Sequence, residues 1–385
     1  MEFTPERYPV IRNFKRTATI IGVVAATSAS LVACGNSAED APAGGKDSTA
    51  AETKTEAKSA SGAELTGTTG QLVAEGATSQ QNAMDYFASR YAEEVPGANL
   101  AYNPTGSGAG VKNFIGNQAA FAGSDSALKD EEIQPAADRC GGNEAWHLPM
   151  VVGPVAVAYN LDGVDKLNLT VDNIVNIFNG TITKWNDPAI AESNPGATLP
   201  DENISVIYRS DESGTSDNFQ KFLAAASDGK WEGSGKAFPQ AVGAGANGST
   251  GVAEQVKSTP GAITYVEAGF AEKKANIDFG AGAVELNEET VGKALDTMEF
   301  KTEGHNMVVD SKKLFATKDA DAYPLILTTY EIVCSAGYDE KTRDMVKDFL
   351  NVALDSQDEE LSAEGFIPVS GAHAERLRAA VNAIS

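Results

Sequence analysis

Residues Ile204–Leu223 read ISVIYRSDESGTSDNFQKFL, and the string changes character halfway. Ile204 to Tyr208 is a short apolar, β-branched run, the composition of a buried strand. Arg209 to Thr215 is charged, hydroxylated and interrupted by Gly214, the chemistry of a turn. Phe219, Phe222 and Leu223 then recur at three- and four-residue steps, which predicts a helix with one apolar stripe. Strand, turn and helix in twenty residues make one α/β unit, and the pattern recurs along the chain. Val151 to Tyr159 and Leu325 to Val333 read as buried strands; Met84, Phe87, Tyr91 and Val95, and Ile174, Val175 and Phe178, read as helices. No internal repeat is evident, and the Gly-, Ser- and Ala-rich segment from Ala224 to Thr250 reads as loop with at most short elements.

The turns carry the chemistry. Thr78-Ser79 precede the Met84/Phe87/Tyr91 helix, Ser107 within Thr105-Gly106-Ser107-Gly108-Ala109-Gly110 precedes Val111, Phe114 and Ile115, and Ser213-Gly214-Thr215 precede the Phe219 helix. The first turn of a helix leaves N–H groups unbonded and carries partial positive charge, so converging helix starts can solvate a tetrahedral oxyanion. Each hydroxyl alone is more simply an N-cap. Two charged residues sharpen the combination. Arg209 ends a strand four residues before Ser213, where its guanidinium can fork onto two oxygens. Asp125 ends Phe121-Ala122-Gly123-Ser124 and can only accept, so it favours an anion that still carries a proton: phosphate at neutral pH, and not sulfate.

The 385-residue chain has 54 acidic against 30 basic residues, a net charge of −24. That excess argues against a nucleic-acid partner, whose binding rests on Lys and Arg neutralising phosphates. Arg12, Lys15 and Arg16 precede an uncharged run, Thr17 to Ala33, which ends in Leu31-Val32-Ala33-Cys34. It is short and Ala/Ser/Thr-rich for a spanning helix, and it predicts a lipoprotein signal peptide over 1–33 with a lipid (diacylglyceryl and palmitate) on Cys34. Residues 34–64 then form a flexible tether, too poor in apolar side chains to fold. The mature protein is expected outside the cell membrane that its lipid anchors it to. In that oxidising setting Cys140 and Cys334 are expected to form a disulfide.

Gly76-Ala77-Thr78, Thr105 to Lys112, Phe121 to Asp125 and Arg209 to Thr215 together resemble the phosphate-binding receptor, a substrate-binding lipoprotein, of the high-affinity phosphate ABC transporter. The resemblance continues through Ile177 to Gly180, Trp185 to Pro188, Pro260 to Glu267 and Tyr323-Pro324, and so covers essentially everything after residue 65. It implies an α/β periplasmic-binding-protein fold of two lobes joined by a two-strand hinge, with the ligand cleft between them. Lobe one is expected over 65–145 plus 322–385 and lobe two over 146–321. It further implies that Thr78, Ser79, Ser107, Ser213, Gly214 and Thr215 donate to phosphate, that Asp125 accepts its proton, and that Arg209 pairs with it, oriented by Asp211. Many family members carry an aromatic residue where this chain has Ser79. The implied partners are inorganic phosphate and the permease subunits of an importer; a monomer is expected, with neither cofactor nor metal, and no enzymatic activity.

Rival signals are weaker. A receptor for sulfate or a phosphonate is the near alternative, and Asp125 argues against sulfate. Gly243-Ala244-Gly245-Ala246-Asn247-Gly248 satisfies G-x-G-x-x-G with Glu267 further on, but it lacks a clean preceding strand and reads as a structural loop before a helix near Val252–Val256. A serine hydrolase needs a base beside its nucleophile; His147, His305 and His373 follow no such signature, and neither Ser107 nor Ser213 sits in G-x-S-x-G. The histidines and cysteines also lack metal-ligand spacing. Trp146, Trp185 and Trp231 read as packing residues.

Overall fold

Fifteen residues, Ala145–Tyr159, form one strand that organises the rest. In the computed structural model, which describes residues 57–58, 64–239 and 242–385, this strand is the centre of an eight-stranded sheet. The expected signal peptide, the Cys34 anchor and nearly all of the tether lie outside the described residues. Along 145–154 the long strand pairs antiparallel with Ile326–Cys334, and along 155–159 it pairs antiparallel with Ala262–Glu267. The partner thus changes at Pro154, which is paired with Ile326. Proline gives no ladder N–H, so this is a natural place for one ladder to end.

Two groups of parallel strands hang on this spine. Ala98–Asn103, Gly70–Gly76 and Phe121–Ser124 run parallel to one another, and Phe121–Ser124 lies antiparallel to Ile326–Cys334. Ala244–Ala246, Ser205–Arg209 and Ala262–Glu267 form the second parallel group. The first group therefore runs in the direction of the long strand and the second against it. Both sets of strand C-termini consequently point toward its middle, where the partner changes. Loops following C-terminal strand ends are where open α/β sheets bind ligands.

The connecting helices are those expected from the apolar spacing. Gln81–Glu94 buries Met84, Phe87 and Tyr91, Val171–Phe178 buries Ile174, Val175 and Phe178, and Gly214–Ala226 buries Phe219, Phe222 and Leu223. The expected strands are found at Ser205–Arg209, Ala145–Tyr159 and Ile326–Cys334. The C-terminal helix Glu340–Asp355 returns to the first group: Phe349 stacks on Phe121 at 5.5 Å and meets Tyr91 edge-on at 5.6 Å. A second aromatic cluster, Phe219, Tyr265, Phe178 and Phe238, fills the other group.

Cys140 and Cys334 form a disulfide with Cα atoms 5.3 Å apart. Cys140 caps the helix Asp130–Arg139 and Cys334 pairs with Ala145, so the bridge ties that helix to the end of the Ile326–Cys334 strand away from Pro154. Closing 194 residues, it removes roughly 5 kcal/mol of unfolded-chain entropy in the loop-closure picture. Among the described residues, no helix is long and apolar enough to cross a membrane.

The tryptophans pack as read. Trp185 is fully buried with its Nε1 donating to Gly261 O at 2.9 Å, and Trp231 packs on Phe238. The histidines serve structure as well. His147 Nε2 accepts from Leu128 N while Nδ1 meets Asn306, His305 packs at a tilt against Trp146, and His373 Nε2 reaches Pro149 O.

Candidate functional site

Four helix N-termini converge where the two sets of strands point. Three are those read from sequence: Gln81–Glu94, Ser107–Ile115 and Gly214–Ala226. The fourth is Gly248–Ser258, which follows the short strand Ala244–Ala246. The G-x-G-x-x-G segment is therefore a strand–turn–helix junction of the site and not merely a spacer, as its loop reading implied. Its Ser249 is fully buried: the Ser249 N–H donates to Thr78 Oγ1 at 3.0 Å, and the two hydroxyls lie 3.0 Å apart.

Asp125 sits on one side, 7% exposed. Its Oδ1 accepts from Ser79 Oγ at 2.6 Å and Thr329 Oγ1 at 2.7 Å, and its Oδ2 accepts from Ser107 Oγ at 3.3 Å. Its own N–H returns to Ser107 Oγ at 3.2 Å. Burial and the nearby Glu267 carboxylate push its pKa up to about 6, against the opposing pull of Ser79, Thr329 and Arg209. The Ser79 hydroxyl thus serves the Asp125 carboxylate.

Arg209 occupies the other side, 3% exposed. Nε and Nη2 fork onto Asp211 at 2.8 and 2.6 Å, while Nη1 reaches Thr215 Oγ1 at 3.3 Å and Ser249 Oγ at 3.2 Å. Burial works against the charge of both partners. The bidentate pair overcomes it, raising the Arg209 pKa and holding the Asp211 carboxyl below its ordinary value. Gly248 N–H also donates to Asp211 Oδ1, at 3.1 Å. Thr215 Oγ1 in turn donates to Glu267 Oε1 at 2.6 Å, and Glu267 Oε2 is buried with no hydrogen-bond partner.

Ser213 caps its helix by accepting from Ser216 N at 3.1 Å, which leaves its hydroxyl hydrogen free to donate. Gly214 follows where the two sides meet. A Cβ there would overlap Ser107 Oγ and crowd Asp125, so the position admits no side chain. Gly106, at φ 100°, makes the turn into the Ser107 helix, and a Cβ there would come within 2.6 Å of Asp211 Oδ2. Further contacts cross the cleft around the site. Ser126 Oγ donates to Asp217 Oδ2 at 2.6 Å, Lys112 Nζ meets Glu212 Oε2 at 2.5 Å, and Gly108 N donates to Glu212 O at 3.0 Å. The cleft is closed over these residues.

All nine residues read from sequence, Thr78, Ser79, Ser107, Asp125, Arg209, Asp211, Ser213, Gly214 and Thr215, fall in this one network or at its junction. Ser249, Glu267 and Thr329 belong to it too and were missed. Ser249 directly follows the segment that reads as a structural loop, and Glu267 and Thr329 lie inside strands with no local signal.

The fold and this enclosed polar site define a substrate-binding protein of the two-lobed periplasmic type, and the family model described as the PBP superfamily domain matches residues 61–357. Phosphate-binding protein PstS3 of Mycobacterium bovis (strain BCG) is 42% identical over 97% of this chain and 100% of its own length. Phosphate-binding protein PstS 2 of Mycobacterium tuberculosis is 41% identical over the same shares. The chain belongs to the PstS phosphate-binding-protein family. A phosphate-binding protein from Stenotrophomonas maltophilia shares the fold at TM-score 0.62 and 22% identity, over 80% of this chain and 93% of that one. A putative phosphate ABC transporter substrate-binding protein of Clostridium perfringens, solved with bound phosphate, does so at TM-score 0.56 and 18% identity, over 78% and 100%.

Proposed function

We propose that this chain is an extracytoplasmic receptor that binds inorganic phosphate and passes it, chemically unchanged, to the permease subunits of an ABC importer. The observation that carries the reading is the charge pattern of the site. Its one arginine is already neutralised by Asp211, and a second carboxylate, Asp125, faces the same enclosed space. Such a site attracts no anion by net charge. It suits one that brings its own proton to Asp125 while hydroxyls and helix N-termini satisfy the remaining oxygens.

In this reading Thr78, Ser79 and Ser107 donate from one lobe, and Ser213, Gly214 and Thr215 from the other. Arg209, held by Asp211, gives its remaining N–H groups to the ligand. Asp125 accepts the ligand's proton. The lobes comprise 65–145 plus 322–385 and 146–321, and the strand Ala145–Tyr159 is one of their two connectors. Only a ligand that touches both lobes gains from closure, so phosphate shifts the open–closed balance by its differential affinity. A lipid on Cys34 ties the monomer to the membrane. The protein performs no catalysis.

Titration calorimetry on the chain from about Leu65, with phosphate and then sulfate, tests the reading. Phosphate is expected to bind at micromolar or tighter affinity, about 8 kcal/mol or more, and sulfate much more weakly. Equal affinities would remove the proton-accepting role of Asp125, and tighter binding of sulfate or a phosphonate would reassign the substrate.

A further inference from the structure

Behind the Thr78–Ser79 turn lies a buried carboxyl that the proposed binding mechanism does not use. Glu331, on the strand Ile326–Cys334, is 0% exposed, and neither of its side-chain oxygens has a hydrogen-bond partner. Its cross-strand neighbours are Gly123 on one side and Leu148 on the other. Directly opposed residues of an antiparallel pair project to the same face. On that face of Gly123 there is no room even for a Cβ, because Gln80 Nε2 and the Tyr102 hydroxyl already occupy the space. Glu331 therefore points into the same packed space as Gln80 and Tyr102.

The hydrogen bonds of that space do not close as they stand. Gln80 is 0% exposed; its Nε2 donates to Tyr102 OH at 3.1 Å, and its Oε1 has no partner. Tyr102 OH donates to Ala77 O at 2.8 Å. An amide oxygen without a donor shares this space with a carboxyl without a donor, and a single proton on the carboxyl gives the amide oxygen the donor it lacks. The groups that face Glu331 are the Gln80 amide, the Tyr102 phenol and, further off, the Asp125 carboxyl. None of them is a cation that could neutralise it. Burial accordingly drives the Glu331 pKa well above its ordinary value, against the pull of the Gln80 side chain, with Asp125 adding to the rise.

We propose that Glu331 is a protonated carboxylic acid at neutral pH and a positioning residue for the phosphate site, its O–H donating to Gln80 Oε1 so that Glu331, Gln80, Tyr102 and Ala77 O form one chain behind the Thr78–Ser79 turn. The chain ends on the carbonyl of Ala77, directly before Thr78, and passes through Gln80, the N-cap of the helix that follows. It fixes the turn from both ends. Two residues earlier on the same strand, Thr329 holds Asp125 Oδ1. One strand thus sets the position of one ligand-facing turn and supports the carboxylate of the other. Loss of the Glu331 proton would break the chain and place a second negative charge behind Asp125.

The proposal rests on the phosphate reading for its consequence but not for its protonation. Infrared difference spectroscopy between wild type and Glu331→Gln is expected to show a protonated-carboxyl C=O stretch at pH 7 that the substitution removes. That measurement needs no ligand, so it decides the protonation even if phosphate proves to be the wrong substrate. Glu331→Gln keeps a neutral donor for Gln80 and is expected to hold phosphate affinity within about threefold, whereas Glu331→Ala orphans Gln80 and weakens it about tenfold, the cost of one buried unsatisfied group. Wild-type affinity is expected to fall on the alkaline side as the acid ionises, while Glu331→Gln stays flat there. Absence of the acid band at pH 7 would overturn the proposal. So would a Glu331→Gln protein that binds phosphate as weakly as Glu331→Ala, or one with the wild-type alkaline profile. If the alanine variant fails to fold, the band and the glutamine pH profile still decide.

Discussion

Asp125 is buried and Asp211 partly buried within one site, and their surroundings drive them in opposite directions. Asp211 meets a guanidinium fork and a backbone N–H, and its carboxyl is held below the ordinary range despite burial. Asp125 meets only hydroxyls, with Glu267 nearby, and is pushed up to about 6. Neutral donors bridge less of the desolvation cost than a charged partner does. The difference teaches a division of labour: one aspartate spends its charge on aiming a cation, and the other, in the proposed function, keeps a costly charge available for a ligand's proton.

The largest test of that division is on the cationic side. Arg209→Ala removes the fork and leaves Asp211 buried without its partner. Phosphate affinity is expected to fall at least about a hundredfold by calorimetry, in line with the 2–5 kcal/mol typical of breaking a buried charge pair. Arg209→Lys keeps the charge but not the planar fork and should restore only part of the loss. Affinity within threefold of wild type in the alanine variant would show that the arginine does not touch the ligand.

Asp125→Asn tests the other side in two ways. The amide can no longer accept as an anion, so the phosphate-to-sulfate affinity ratio is expected to drop about tenfold or more. The second readout is stability. A carboxyl whose folded-state pKa is raised from 3.8 to about 6 is favourable to the fold while protonated, and that contribution is lost as pH rises from roughly 4 through about 6. Asp125→Asn is therefore expected to be more stable than wild type at pH 7, by at most about 3 kcal/mol, with the advantage gone near pH 4. Thermal melts at both pH values, without ligand, check this; a variant less stable at pH 7 than at pH 4, relative to wild type, would reverse the assigned cost.

Ser79→Ala gives the smallest and most pointed effect. It removes the 2.6 Å donor that lowers the Asp125 pKa, so that pKa should rise above about 6. Phosphate binding is expected to weaken a few-fold, more at pH 6 than at pH 8, because protonated Asp125 cannot accept. An equal loss at both pH values would show that Ser79 acts by packing or through its backbone alone.

The same contrast explains how much was legible in the sequence. Local features were: the strand at Ser205–Arg209 followed by the Gly214–Ala226 helix, and the hydroxyls and charges of Thr78, Ser107, Asp125 and Arg209, all declare themselves within a few residues of a helix start. Asp211 stands two residues from Arg209, so even that pairing is local. The Asp125 environment is assembled from a distance. Thr329 lies 204 residues away, in a strand whose apolar pattern signals only burial. Glu267 reaches the site through Thr215, 52 residues before it. Ser249 lies in a glycine-rich segment whose three-residue strand is too short to show an alternation. What escaped the sequence was contributed by register and closure, not by local composition.

The Cys140–Cys334 bridge ends on the strand that carries Thr329, and it bears on how that strand is held. It ties the end of the helix Asp130–Arg139 to Cys334, whose ladder partner Ala145 opens the long strand, while the pairing of the two strands ends at Pro154 and Ile326. A covalent tie at that margin restrains the strand end where Cys334 sits. In the proposed function, opening would then flex at the Pro154 margin, where the ladder changes partner, and not at the margin held by the disulfide.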